Sequence, residues 1–313
     1  MHEHCNCGHH HHPEEHGHAP ADQYEQAFAK YDLHLHDEQV HAEVGNLLAR
    51  NAAQYNTPEV WRSLLSAVEL TTLTVVDSEE RVLRMVEKYN RFAESHPDLP
   101  PFATICVYPN FAQIVAQSLE VEGTEVAVVT GGFPSSQTFI EIKTVETALA
   151  VRDGATECDM VLSVGKFLSG DYETCADEIA EIKASCGDAP LKVILETGAL
   201  QTAENIKRAS VLAMYSGADF IKTSTGKIEP AATLEAAYVM CQAIKEYHAQ
   251  TGRLIGFKAA GGVSTVEDAV NYYTIARELL GPDFIRERLF RIGTSSLAPR
   301  LIKVLTGEDV GKF

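Results

Sequence analysis

The chain has 313 residues, a formal net charge of −18 and an apolar content of 45%. An acidic chain is repelled by nucleic acid and by anionic membrane surfaces, and no apolar run approaches the roughly 18–20 residues that span a bilayer, so we expect neither kind of partner. The seven cysteines are irregularly spaced and the polar N-terminus lacks a secretory signal, which favours a reducing, cytoplasmic location.

Residues 1–22 form a segment of unusual composition, with eight of the thirteen histidines and almost no large apolar side chain. Such a segment buries too little surface to offset its ordering entropy, so we predict a disordered tail. Imidazole and thiol groups bind Zn²⁺, Ni²⁺ or Cu ions, so either an adventitious metal site or a physiological metal-handling role is open for this tail. The candidate ligands are Cys5, Cys7, His9, His10, His11 and His12.

Residues 23–60 are predicted to be a helical segment that packs on the main body through Tyr31, Leu33 and Leu35. Within it, the run 56–59 has the composition of a helix start, with Pro58 at the first helical position. The remaining residues, 61–313, are predicted to form the catalytic domain.

An alternating pattern of strands and helices occupies residues 61–313. Helical periodicity covers 141–152, 203–215 and 265–280, and the first of these stretches places Ile142, Val145, Leu149 and Val151 near one face. Strands that alternate with helices predict an α/β fold, the (β/α)₈ TIM barrel, with an N-terminal helical extension. An open doubly wound sheet is the alternative, but the GxGxxG motif of its dinucleotide-binding form is absent. The eight apolar runs begin near Leu64, Phe102, Glu125, Glu157, Leu191, Ala218, Leu254 and Phe290.

Two lysines lie at the carboxyl ends of neighbouring runs, which is the active-site face of such barrels. Because strand side chains alternate between faces, Ile221 outside the barrel places Lys222 inside. In the next run, Phe257 outside likewise places Lys258 inside. A lysine in a strand is more often an exposed edge residue, but two buried ammonium groups in one cavity are costly unless chemistry uses them.

The chemistry that uses such a pair is imine formation. A lysine amine attacks a carbonyl only when neutral, and at pH 7 only about one free lysine in two thousand is neutral. Desolvation and the neighbouring charge of Lys258 are expected to lower the pKa of Lys222 by about three units, or roughly 4 kcal/mol. We therefore predict a class I aldolase in which Lys222 forms a Schiff base. Asp159 is predicted to relay protons, directly or through water, with a structural salt bridge as the alternative.

The substrate is predicted to carry a phosphate. Glycines and hydroxyls follow the seventh and eighth runs, which is the usual phosphate corner of this fold. Each motif alone is weak, since Gly-Gly is usually a turn and Ser-Ser a helix cap. The candidate residues are Gly261, Gly262, Gly293, Ser295 and Ser296, completed from the sixth run by Ser224, Gly226 and Lys227.

These runs closely resemble the deoxyribose-phosphate aldolases over about residues 61–305. The segment 219–227 is highly specific, and the resemblance also rests on 70–73, 106–109, 191–198, 256–263 and 293–297. The resemblance implies reversible cleavage of 2-deoxy-D-ribose 5-phosphate to D-glyceraldehyde 3-phosphate and acetaldehyde, with no metal or other cofactor beyond the lysine imine. It also implies a homodimer.

By position, the resemblance implies that Lys222 forms the Schiff base, that Lys258 is the second lysine and that Asp159 transfers protons. Cys106 is as readily interpreted as a small buried apolar residue. The implied substrate contacts are Glu69, Thr71, Cys106, Thr223, Ser224, Gly226, Lys227, Gly261, Gly262, Gly293, Ser295 and Ser296.

The sequence departs from the family pattern at three places. Many members carry Asp where this chain has Glu69, which puts the contacts of that carboxylate to substrate hydroxyls in question. The segment 130–134 also differs, and Phe313 stands where some members have a terminal tyrosine that reaches the site. The competing hypotheses are a different sugar-phosphate aldolase or transaldolase, and a metal-handling protein built on an inactive barrel.

Overall fold

The computed structural model of the protein describes residues 23–286 and 288–313. Eight parallel strands pair in chain order into a closed barrel, β1 pairing with β8, which confirms the predicted (β/α)₈ fold. The strands are β1 Val68–Thr71, β2 Thr104–Val107, β3 Glu125–Thr130, β4 Glu157–Val161, β5 Leu191–Ile194, β6 Phe220–Lys222, β7 Gly256–Ala260 and β8 Phe290–Thr294.

Helices surround the barrel and extend it at the N-terminal side. A short 3-10 turn, Pro109–Phe111, precedes the fifth helix, and the twelfth is interrupted at Gly281. The helices are α1 Gln23–Phe28, α2 Asp37–Tyr55, α3 Pro58–Ser66, α4 Glu79–Ser95, α5 Ala112–Ser118, α6 Ile140–Arg152, α7 Val164–Leu168, α8 Tyr172–Ser185, α9 Thr197–Leu200, α10 Ala203–Tyr215, α11 Leu234–Thr251, α12 Val266–Arg286 and α13 Leu297–Thr306. None of these helices is long and apolar enough to cross a membrane.

The helix start predicted at Pro58 is confirmed, because Thr57 caps α3 by accepting a hydrogen bond from the Val60 amide. The first strand, however, does not begin near Leu64. Leu64 and Leu65 are fully buried residues of α3, and β1 starts at Val68. A continuous apolar run does not distinguish a buried helix end from a strand, which is why the sequence pattern merged the two.

The N-terminal helices contact the outer helices of the barrel. The ring of Phe28 lies edge-on to Tyr172 at 5.2 Å, and Asp37 accepts a hydrogen bond from the Ala203 amide, 2.8 Å away. Val40 and Val44 of α2 are buried. The predicted tail of residues 1–22, with its candidate metal ligands, lies outside the described residues.

The strand register places the two predicted lysines side by side. Lys222 of β6 is the direct neighbour of Lys258 of β7, and Ile221 of β6 is the neighbour of Phe257. Ile221 and Phe257 belong to the apolar layer between strands and helices. Both lysines therefore point into the barrel, as the alternation of strand side chains requires.

The helix α6 has the predicted position, and most of its apolar stripe faces away from the barrel. Ile142, Val145 and Leu149 are 56%, 55% and 44% exposed. The residues that α6 buries include Lys143 and Thr147. Sequence periodicity locates an amphipathic helix, but the choice of inner face depends on buried polar partners elsewhere in the chain.

Candidate active site

A network of charged side chains fills the middle of the barrel. All seven members are buried, the most exposed being Arg291 at 8%. Burial of so many charges is costly unless each is paired, so the arrangement of pairs decides what the site can do. The members are Glu69, Glu157, Asp159, Lys192, Lys222, Lys258 and Arg291.

Asp159 is at the centre of this network. Its Oδ2 accepts hydrogen bonds from Lys222 Nζ at 2.8 Å and from Lys258 Nζ at 2.7 Å. Its Oδ1 accepts one from Lys192 Nζ at 2.9 Å. Burial raises the pKa of Asp159, but the attraction of Lys192 and the other two ammonium groups outweighs it and holds that pKa well below its usual range. The ion pairs foreseen as the alternative role of Asp159 are therefore present.

The two lysines that share Asp159 Oδ2 have opposite pKa shifts. Burial lowers the pKa of Lys222, and the charge of Lys258 lowers it further against the opposing attraction of Asp159. Burial also disfavours the charge of Lys258, but Asp159 and Glu69 outweigh that effect and raise its pKa. Lys222 is therefore the member of the pair that more readily gives up its proton, as imine formation requires.

The charges of the network favour a neutral Lys222. Three carboxylates stand against three lysines and Arg291, so the fully ionised network carries one excess positive charge. Loss of one proton balances the interior, and the pKa of Lys222 is the one lowered among the three lysines. A buried cluster is most stable when its formal charges cancel, which gives a physical reason for the direction of that shift.

Three members of the network were missed by the sequence reasoning. Lys192 Nζ contacts Glu157 Oε2 at 2.5 Å, and Arg291 lies 3.3 Å from both Glu157 Oε1 and Glu69 Oε1. The signal was available, because Lys192 stands next to Val193 in an apolar strand. The same alternation that placed Lys222 inside the barrel also places Lys192 there.

A cavity of about 340 Å³ opens at the carboxyl ends of the strands, and Lys222 forms part of its wall. This volume suits a small phosphorylated sugar. Of the predicted site residues, the cavity wall includes Thr71, Lys222, Gly226, Lys227, Gly261, Gly262, Gly293, Ser295 and Ser296.

Three glycines at the cavity are favoured by a positive φ or by close packing. Gly226 and Gly261 have φ of 74° and 87°, and a Cβ on Gly261 would lie 2.5 Å from the Ala231 Cβ. A Cβ on Gly293 would lie 2.9 Å from Lys258 Cε, so this glycine leaves room for the second lysine. The two backbone segments after β6 and β7 thus approach each other beneath the cavity.

Glu196 organises the loop that follows β6, a role the sequence reasoning also missed. Its carboxylate accepts hydrogen bonds from the Thr225 amide at 3.1 Å and from the Thr225 hydroxyl at 2.5 Å. That hydroxyl in turn accepts the Lys227 amide at 3.1 Å, and Lys227 Nζ contacts the Leu73 carbonyl. Glu196 holds a left-handed φ of 57°, which is unfavourable for a residue with a side chain.

Four of the predicted substrate contacts do not lie on the cavity wall. Glu69 is fully buried against Lys258 and Arg291, and Cys106 packs in a small apolar cluster. The Thr223 hydroxyl donates to the Ala260 carbonyl, because Thr223 shares the outward face of Ile221. The Ser224 hydroxyl is buried without a hydrogen-bond partner in the described part of the chain.

The C-terminal residues reach the outer edge of the cavity, which Lys312 and Phe313 help to line. The Phe313 ring packs 5.5 Å from Phe92 and from Phe102. Across residues 23–286 and 288–313, no group of three or more His, Cys, Asp or Glu side chains is suited to hold a metal ion.

Comparison with known proteins places this site in a family context. The sequence model of a family described as "DeoC/LacD family aldolase" matches residues 65–295. A "Putative deoxyribose-phosphate aldolase" of Caenorhabditis elegans is 41% identical over 78% of this chain and 81% of its own. A "Deoxyribose-phosphate aldolase" of Homo sapiens is 36% identical over 85% of this chain and 87% of its own.

Solved structures agree with the sequence relatives. An apo-form "putative deoxyribose-phosphate aldolase" from Toxoplasma gondii superposes with a TM-score of 0.71 and 26% identity, over 82% of this chain and all of its own. A deoxyribose phosphate aldolase from Aeropyrum pernix, titled as a unique tetrameric structure, gives a TM-score of 0.64 and 26% identity. This second match covers 83% of this chain and 99% of the other.

Proposed function

The chain belongs to the DeoC/LacD family of aldolases, and from that membership we propose that it is a deoxyribose-phosphate aldolase that works through an imine on Lys222. The observation that carries the proposal is the sharing of Asp159 Oδ2 by Lys222 and Lys258 beside a glycine- and serine-lined cavity. No cofactor is needed for this chemistry, because the protonated imine is itself the electron sink.

In the cleavage direction, the neutral amine of Lys222 attacks C1 of the open-chain sugar. The carbinolamine takes up a proton and loses water, which leaves an iminium ion. Water oriented by Asp159 takes the proton of the C3 hydroxyl, the C2–C3 bond breaks, and the electron pair of that bond neutralises the iminium to give an enamine. D-Glyceraldehyde 3-phosphate departs, the enamine carbon takes up a proton, and hydrolysis releases acetaldehyde and the free lysine.

Asp159 is proposed to move protons through water. Its low pKa makes it a weak base, so direct removal of a hydroxyl proton is unfavourable. When Lys222 becomes an imine, however, it retains at most one N–H, and Asp159 Oδ2 gains room to accept a hydrogen bond from water. A carboxylate still held by Lys192 and Lys258 then orients that water toward the reacting carbon.

The phosphate is proposed to bind at the loops after β6, β7 and β8. Gly226 and Gly261 bring backbone close to the cavity, and Ser295 and Ser296 lie just before α13, whose first amides favour an anion. Lys227 contributes charge, provided that its ammonium leaves the Leu73 carbonyl for the phosphate.

Further proposals concern the domain organisation, the cellular role and location, and the oligomeric state of the protein. We propose that residues 61–313 form the catalytic domain with 23–60 packed on it, and that the enzyme acts in deoxyribose-phosphate catabolism in the cytoplasm. We also propose self-association, as a homodimer. Because the relative from Aeropyrum pernix is titled as tetrameric, the number of subunits has to be measured for this chain.

Borohydride trapping tests the mechanism. Incubation with acetaldehyde and borohydride should leave a stable ethyl adduct on Lys222, located by mass spectrometry of peptides, and Lys222→Met should take up none. The equally buried Lys192 serves as an internal control, because its pKa is raised. An adduct elsewhere, or no adduct at all, contradicts the assignment of Lys222.

The donor is tested separately, because the matched family is described by two names, DeoC and LacD. Acetaldehyde, dihydroxyacetone phosphate and pyruvate are each supplied with glyceraldehyde 3-phosphate. Formation of 2-deoxyribose 5-phosphate from acetaldehyde alone supports the proposed substrate. Preference for dihydroxyacetone phosphate would instead assign a different sugar-phosphate aldolase on the same lysine.

A further inference from the structure

The ionisable side chains on the wall of the active-site cavity are all basic. They are Arg81, Lys222, Lys227 and Lys312, and none of the described residues on that wall is Asp or Glu. The chain as a whole has a formal net charge of −18. A phosphate dianion is therefore repelled by the protein at long range and attracted only near this cavity, where low-dielectric walls concentrate the field of the basic groups.

Two of these basic residues have no part in the mechanism proposed above. Lys222 forms the imine, and Lys227 is placed beside the phosphate loops. Arg81 comes from the first turn of α4 and has a side chain that is 49% exposed, and the exposed Lys312 follows α13. Because both are exposed, they lie at the mouth of the cavity, and we call them the entrance cations.

The entrance cations have hydrogen-bond donors to spare. Arg81 Nε lies 4.0 Å from Asp77 Oδ1, which is beyond hydrogen-bond distance. That oxygen already accepts the Thr72 hydroxyl at 2.8 Å and the Thr74 hydroxyl at 2.7 Å. Within residues 23–286 and 288–313, neither the Arg81 guanidinium nor the Lys312 ammonium donates a hydrogen bond, so both groups are available to an anion.

Most acidic residues near the entrance cations in sequence have a basic partner of their own. Glu79, two positions before Arg81, points to a different side of α4. The charge of the entrance cations is therefore left largely uncompensated by these carboxylates. The paired residues are Glu80 with Arg84 at 2.7 Å, Glu308 with His96 at 3.2 Å and Asp309 with Lys303 at 3.1 Å.

Both entrance cations are attached to a backbone that is held in place. Ser78 caps α4 by accepting a hydrogen bond from the Arg81 amide, 3.3 Å away. Lys88 Nζ donates to the carbonyls of Val310 and Lys312, at 2.8 and 2.5 Å, which holds residues 310–312 against α4. The two charges therefore stay at the cavity mouth while their side chains remain free to follow an incoming anion.

We propose that Arg81 and Lys312 form an outer anion subsite that recruits the phosphate dianion of the substrate on its way to the loops after β6, β7 and β8. The inference rests on the phosphorylated substrate proposed above and adds two residues to its recognition. Recruitment acts through charge at a distance, so it raises the rate of productive association and leaves the chemical step on Lys222 unchanged. A neutral sugar gains nothing from the two charges, so the subsite favours phosphorylated substrates over unphosphorylated ones.

The first test measures kcat and KM for cleavage of 2-deoxyribose 5-phosphate at about 0.01 M and about 1 M salt, where the Debye length is about 30 Å and about 3 Å. Arg81→Gln and Lys312→Gln should each lower kcat/KM by roughly 3–10-fold at low salt while kcat stays unchanged. Most of that loss should vanish at high salt, because screening removes the attraction in the wild type as well. Cleavage of unphosphorylated 2-deoxyribose should be the same in all variants.

Matched controls separate the subsite from the net charge of the chain. Arg84→Gln removes the same charge about one turn further along α4, and Lys245→Gln removes an exposed lysine of α11, neither of which lies on the cavity wall. Both should stay within about twofold of the wild type. Arg81→Lys and Lys312→Arg keep the charge and should keep kcat/KM, whereas Arg81→Glu should roughly square the loss, because the interaction energy is proportional to the charge.

Binding of inorganic phosphate to the full-length chain, measured by isothermal titration calorimetry at low salt, tests the subsite without reference to the reaction. Its dissociation constant should rise by roughly 3–10-fold in Arg81→Gln and in Lys312→Gln. Phosphate affinity and kinetics that match those of Arg84→Gln overturn the proposal. A loss that persists at high salt or extends to 2-deoxyribose also overturns it, because it indicates a structural role. A chain that binds phosphate through both residues but does not cleave the sugar phosphate refutes the proposed function and leaves the subsite standing.

Discussion

The charge of Lys258 is expected to control the pKa of Lys222, and Lys258→Met removes that charge while keeping an unbranched buried side chain. Both ammonium nitrogens lie within 2.8 Å of Asp159 Oδ2, so they are no more than about 5.5 Å apart. At an effective dielectric constant of about 20, two unit charges at that distance repel by roughly 3 kcal/mol, or about 2 pH units. Because the mutation also removes one of the cations that pair with Glu69, the carboxylates hold the Lys222 proton more tightly, and the shift is upward.

The assay is the rate of reductive trapping of acetaldehyde by cyanoborohydride, measured on Lys222 as a function of pH. This rate reports the neutral fraction of the amine without requiring Lys258 for turnover. The rising limb of the profile should move to higher pH by about 1–2 units in Lys258→Met. Lys258→Arg, which keeps the charge, should move it much less.

A double variant sharpens the test. Lys258→Met with Glu69→Gln removes an opposite-charge pair, so the net charge around Lys222 is unchanged and the shift should be smaller than in the single variant. If the single and double variants both keep the wild-type profile, desolvation alone sets the pKa of Lys222 and the charge-coupling argument is wrong.

Three further variants test stability, activity and substrate binding. Lys192 and Lys258 overcome the effect of burial and lower the pKa of Glu69 to about 2, so its stabilisation is present above its ordinary pKa of 4.5 and is lost as pH falls toward 2. Glu69→Gln should therefore reduce the free energy of unfolding by about 3 kcal/mol at pH 7, with the difference from wild type shrinking in acid, as urea denaturation would show. Lys222→Met should lose at least about 10⁴-fold in activity. Because the pKa of Lys222 is lowered by folding, the wild type should gain stability over Lys222→Met as pH rises toward 10.5, and thermal melts that diverge in the other direction contradict that shift. Lys227→Met should raise KM for 2-deoxyribose 5-phosphate by roughly 10–100-fold while leaving kinetics with unphosphorylated 2-deoxyribose unchanged.

The positions of Lys222 and Lys258 were predictable because they depend on rules that act locally. Strand alternation and the carboxyl-end location of barrel active sites together put Lys222 and Lys258 at one place, and the register confirms their adjacency. Gly226, Gly261 and Gly262, in the loops proposed to bind phosphate, were predictable for the same reason, since a positive φ is a property of the local backbone.

The contacts that escaped prediction depend on distant parts of the chain. Glu69 pairs with Arg291, which lies 222 positions later in the sequence, and the two residues meet only in the interior of the closed barrel. The local sequence around Glu69 therefore does not distinguish this pairing from a contact with substrate. The rotation of α6 depends in the same way on Glu178, which lies 35 residues beyond Lys143. Apolar periodicity specifies that a helix has two faces, and only the tertiary partners specify which one is buried.

The charge balance of the barrel interior bears on the reaction itself. With Lys222 neutral, the three carboxylates and three remaining cations cancel. In the mechanism proposed above, formation of the iminium restores one positive charge beside Asp159, whose carboxylate stabilises it. Cleavage of the C2–C3 bond would then convert that iminium into a neutral enamine, and the interior returns to balance once water carries the C3 hydroxyl proton away. A buried, poorly screened network therefore favours conversion of the positively charged iminium to the neutral enamine, because uncompensated charge is most costly where water is excluded. The network is thus expected to promote carbon–carbon cleavage through the same excess of positive charge that lowers the pKa of unmodified Lys222.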